Sequence, residues 1–172
     1  MNQAKNIISN NLLFVLAIWC FSRMVIGISM LLIAPLLATP STGVAATVSW
    51  DVFYAFDSDF YEKIATHGYE YSVIKKQYSV AFFPLFPLFI RGLMSLGLPF
   101  KLAGILVNNL TFFGALIVLF SWIHERYGKN AARWTIAVLA WFPMSLFGTV
   151  IYFCQSRVWF LCVNFIFVAT RG

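Results

Sequence analysis

Four stretches of this chain, 11–37, 80–98, 102–123 and 131–153, approach or exceed the roughly 20 mostly apolar residues that cross a bilayer. A fifth, 158–170, is too short to do so. Only 10% of the 172 residues are charged, against about 25% in an average soluble domain. The fold expected is therefore all-α: one polytopic transmembrane helix bundle with no separate soluble domain. The apolar run from Leu12 to Leu37 is longer than the roughly 7–15 residues of a signal-peptide core, so it reads as a retained helix. Arg23 lies near its middle, where an unpaired charge is costly. It should face the bundle interior or a wet cavity, with a plain structural role as open as a functional one.

Charge placement orients the bundle. The short connection 124–133, HERYGKNAAR, holds Arg126, Lys129 and Arg133 against Glu125, which marks it as cytoplasmic. The long polar segment 38–79 holds Asp51, Asp57, Asp59, Glu62 and Glu70 against three lysines and is expected outside. Opposite placement requires only one net crossing between 80 and 123. The segment 80–100, rich in Pro and Gly, is therefore expected to be bent or re-entrant as an alternative to spanning. The net charge of +6 comes without a basic run interleaved with aromatics, so nucleic acid is a poor partner. Cys20, Cys154 and Cys162 lack metal-ligand spacing and read as buried thiols.

The long segment contains the chain's most polar run, FDSDFYEKIATHGY, residues 56–69. Phe60, Tyr61, Ile64 and Ala65 recur at helical spacing, and Gly68 stands where a glycine would end the helix. Asp59, with Glu62 three residues on, reads as a capping box at the helix start. Asp57 has no such local duty. Between Phe56 and Phe60 it is either a general base or an acid of a solvated loop.

The string from Asp57 to Tyr69, followed by Ala81-Phe82-Phe83-Pro84-Leu85-Phe86-Pro87-Leu88, resembles the GPI mannosyltransferase 2 (PIG-V-like) family and its bacterial relatives, of the GT-C class. The aspartate of that family's first motif falls on Asp57, its aromatic-Tyr pair on Phe60–Tyr61, its Ile-Ala on Ile64–Ala65 and its Gly-Tyr on Gly68–Tyr69. Trp141-Phe142-Pro143-Met144-Ser145 resembles its later Phe-Pro-x-Ser element. The resemblance implies transfer of mannose or another hexose, with inversion, from a polyprenyl-phosphate donor at the outer membrane face to an acceptor it does not specify. Asp57 would be the base, with Asp59 as second choice. Tyr61, His67, Arg91 and Arg23 are substrate-binding candidates, and Arg91, Arg23 or Lys63 would meet the leaving phosphate. No cofactor is fixed, and a divalent metal is left open.

Three departures stand out. Phe56 and Phe86 replace aromatic residues of the motifs. The family's Tyr-x-Glu-Ser is here Tyr152-Phe153-Cys154-Gln155-Ser156, without glutamate, and family members run on through more helices. A frameshift near Cys154 would account for the lost glutamate and the early end, and would leave a chain that keeps Asp57 without activity. The competing reading is a small non-catalytic membrane protein, a subunit or scaffold.

Overall fold

The computed structural model describes residues 2–37, 48–54, 57–69 and 84–151. The tail 158–170, Cys154, Cys162, Phe56 and the Ala81–Phe83 part of the second motif lie outside the described residues. Among the described residues every regular element is helical. Helix α1 (Asn2–Ile28) runs on through a π turn (Ser29–Ile33) into a 3₁₀ turn (Ala34–Leu36). A 3₁₀ turn (Trp50–Phe53), α2 (Ser58–His67), α3 (Leu85–Met94) and the long α4 (Phe100–Trp141) follow, and a 3₁₀ turn (Pro143–Gly148) closes the order.

Among the described residues two helices are long and apolar enough to cross a membrane, Asn10–Leu36 and Phe100–Trp141. Polarity is inverted relative to a soluble bundle. Along α1 and its π turn, Leu13, Phe21, Met24 and Leu32 are exposed, whereas Asn11, Ser22 and Arg23 are buried. Apolar residues turned outward over polar ones turned inward are the arrangement hydrocarbon surroundings favour.

Gly128 breaks α4. The sequence suggests two helices with a ten-residue connection, but the helix continues to residue 127, leaves helical geometry only at Gly128 (φ 83°, ψ 172°), and resumes at 129. Glycine reaches that conformation because it has no Cβ to clash with the backbone. The second arm, 129–141, folds back on the first, 100–127. Ala132 and Ile136 pack with Leu116, Phe120 and Ile123, and Val15 of α1 joins the same core. The pairs Phe14–Arg133, Trp19–Phe113 and Arg23–Ala140 show α1 antiparallel to the first arm and parallel to the second. The Gly128 turn and the N-terminal part of α1 thus share one end of the bundle, and the 48–69 elements occupy the other.

At that other end a second core forms from Tyr61 and Ala65 of α2, Phe86 and Ile90 of α3, Phe100, Ala103 and Val107 of α4, and Ile151. Tyr61 and Phe86 meet edge to face, 5.1 Å between centroids. The ten residues of α3 extend about 15 Å, half the hydrocarbon thickness of a bilayer. The turn after it reverses at Gly97 (φ 95°), and Pro99 starts α4.

Candidate functional site

The end of the bundle that holds residues 48–69 is ordered by segments that meet at Ile151. Ser49 caps the Trp50–Phe53 turn, its Oγ accepting from Asp51 N–H at 3.2 Å. The Phe53 carbonyl then accepts from the Ile151 N–H at 3.1 Å. Ser58, the first residue of α2, is buried and donates its Oγ–H to the Ile151 carbonyl at 2.9 Å. Asn108 of α4 donates to the Val150 carbonyl. Gly104 admits Ile151 closely, since a Cβ there would lie 3.0 Å from its side chain.

Asp57 stands at the N-cap position of α2, with φ −84° and ψ 11°. Its carbonyl accepts from the N–H groups of Phe60 and Tyr61 at 3.1 and 3.2 Å, so its backbone is fixed. Its carboxylate makes no cap hydrogen bond and is half-buried. A carboxylate held by its main chain, with its oxygens uncommitted, can accept a proton from a hydroxyl presented to it.

Asp59 is not the cap that the sequence suggests. The helix starts a residue before it, so Asp59 lies within the first turn. Its Oδ1 and the Oε2 of Glu62 each lie 2.6 Å from the Tyr54 hydroxyl. The capping-box reading fails because the N-cap position falls on Asp57, two residues earlier, and Asp59 and Glu62 instead share the Tyr54 hydroxyl. Burial, and then the two carboxylates, push the Tyr54 phenol well above its ordinary value. The Lys101 ammonium lies over the Tyr54 ring at 5.3 Å and pairs with Asp51. The bond to Lys101 holds the Asp51 carboxyl below its usual range. Tyr54 and Lys101 carried no signal in the sequence, because each acts through a contact between separate elements; Ser58 stood out there only as the small residue of the resembled motif, and its bond to Ile151 did not.

The other predicted site residues do not gather at Asp57. Tyr61 is fully buried in the second core and its ring faces Phe86. His67 is exposed at the far end of α2, about 15 Å along the axis, with its Nδ1 2.8 Å from Thr66 Oγ1. Arg91 is exposed on the last turn of α3, and Lys63 is exposed on α2. Arg23 is 8% exposed inside the bundle. It faces the interior as expected, but its partners there are neutral oxygens, with no acid among the described residues. Among the described residues no group of three or more His, Cys, Asp or Glu could hold a metal ion. Beside α3 an apolar groove of about 480 Å³ is lined by Leu88, Phe89, Gly92, Leu96, Leu110 and Gly114, among others.

No protein-family profile, curated protein or solved structure matches this chain.

Proposed function

We propose that this chain is a multi-pass membrane glycosyltransferase, or the N-terminal part of one, that moves a hexose from a polyprenyl-phosphate donor to an acceptor hydroxyl. The observation that carries the reading is Asp57. It is a half-buried carboxylate with a fixed backbone and no cap bond, at the bundle end opposite the basic turn. In the reaction its carboxylate takes the acceptor O–H proton. The acceptor oxygen bonds to the anomeric carbon from the face opposite the phosphate. The C–O bond to phosphate breaks, its electron pair leaves with the polyprenyl phosphate, and the configuration inverts.

Three crossings suit the geometry: α1, residues 100–127 and residues 129–148. The 42 residues of α4 would extend about 63 Å if straight, twice the hydrocarbon core, and the fold-back at Gly128 removes that excess. The lipid-borne donor then arrives laterally from the bilayer and the acceptor from outside.

The test is transfer from polyprenyl-phosphate mannose in membranes holding the wild-type chain, Asp57→Asn or Asp59→Asn. Asp57→Asn should lower the rate about 100-fold or more with unchanged membrane insertion, while Asp59→Asn keeps most of it. Equal rates for wild type and Asp57→Asn would reject the assignment. A second reading, a non-catalytic membrane subunit, draws on the lack of any ion pair of Asp57 among the described residues. It predicts no transfer by the wild-type chain.

A further inference from the structure

We propose that Arg23 is a positioning residue for Asp57, fixing from inside the bundle the turn on which the start of α2 rests. The inference rests on the reading of Asp57 as the base.

A guanidinium has five N–H donors in a rigid fork. Arg23 commits all of them. Nη1 donates to the Ser145 carbonyl at 2.6 Å and to Thr149 Oγ1 at 3.1 Å. Nη2 donates to the Ala140 carbonyl at 3.2 Å and to Ser145 Oγ at 2.9 Å, and Nε reaches Ser22 Oγ at 3.4 Å. The Phe112 ring lies 4.5 Å from the guanidinium carbon. No donor is left for a substrate phosphate, which removes Arg23 from the binding candidates. Four of the five bonds go to residues 140–149, where Pro143 has ended the helix and a short 3₁₀ turn, itself weakly bonded, remains.

The consequence reaches the outer end within two residues. Thr149 leads through Val150 to Ile151, whose N–H holds Phe53 and whose carbonyl holds Ser58. Ser58 is covalently next to Asp57. A single buried side chain on α1 therefore sets, through one turn and one hydrogen bond, where the Asp57 backbone lies. The Phe142-Pro143-Met144-Ser145 segment is the receptor for that side chain: the helix ends there and leaves the Ala140 carbonyl to Arg23 and the Ser145 hydroxyl, and the serine supplies two acceptors.

The experiment uses the full chain in lipid nanodiscs, with Arg23→Lys, Arg23→Gln and the double variant Ser145→Ala/Thr149→Val, which keeps the cation. Amide hydrogen exchange and the kinetics of transfer from polyprenyl-phosphate mannose are measured on each. Arg23→Gln and the double variant should exchange about tenfold faster or more at the amides of Ile151, Phe60 and Tyr61, with residues 110–120 unchanged. Their kcat should fall about 10- to 100-fold with donor KM within about twofold, and Arg23→Lys should restore part of it. Unchanged exchange at Phe60 and Tyr61 overturns the proposal, as does a rise in donor KM at constant kcat. If Arg23→Gln does not fold, the double variant decides. A wild-type chain that transfers no sugar overturns the base reading instead, and the catalytic half of this proposal falls with it. Unchanged exchange alongside intact transfer overturns the positioning alone.

Discussion

Tyr54 has one hydroxyl hydrogen and two carboxylates, of Asp59 and Glu62, at equal distance from it. Removing that hydroxyl leaves two acids facing each other with no donor between them. Tyr54→Phe should therefore cost about 1 kcal/mol, a modest figure because the group is partly exposed. Thermal unfolding in detergent would measure it. The raised phenol value gives the sign with pH: the contribution is full below about pH 10 and is lost as pH rises toward and through the higher folded value. Asp51 has the opposite sense. Its lowered carboxyl stabilises fully above about pH 4, and that contribution disappears as pH falls through the lower folded value, so Asp51→Asn should flatten the acid limb of a stability profile. The acids of 56–69 stand out in the sequence by contrast with their apolar surroundings. That Asp59 turns to Tyr54 does not, because the tyrosine arrives from another segment.

At the scale of elements, the apolar pattern of 60–65 and the glycine that ends it are readable in the sequence. Tyr61, Ile64 and Ala65 are buried, and the Gly68 N–H closes on the Ile64 carbonyl at 3.0 Å with φ 87°. Two helices on either side of a polar connection at 124–133 are readable too, but the narrowing of that connection to Gly128 is not, since polar residues at 124–130 resemble a loop while helical geometry tolerates them on an exposed turn. Gly128 carries the reversal alone. Gly128→Ala should cost about 1–3 kcal/mol, since a Cβ is strained at that φ and ψ whatever space surrounds it. Denaturant titration followed by tryptophan fluorescence would register the loss. Gly104→Val tests the opposite kind of glycine, where the backbone is ordinary and the space is taken by Ile151. Overpacking there should cost about 1–3 kcal/mol and push 150–151 off α4. The Arg23 contacts were half legible: an arginine amid apolar residues had to face inward, but neutral acceptors rather than an acid come from a turn over a hundred residues later.

Across the whole molecule, the three arms put Lys129 and Lys63 at opposite ends. In sealed vesicles, cysteines at those two positions should react with a membrane-impermeant maleimide from opposite sides, and labelling from one side would refute the three-crossing arrangement. Composition and run length sufficed for the helical class, while the return of the chain to its own first loop had no sequence signature. That return has a consequence in time. The Ser58–Ile151 bond joins residues 93 apart in the chain. At a synthesis rate of about 5–20 residues per second, this end of the bundle waits roughly 5–20 s after α2 is made before its last partner exists. Until then the start of α2 lacks the partner that fixes Ser58, although Phe86, Ile90 and Phe100 already stand ready to cover its apolar face.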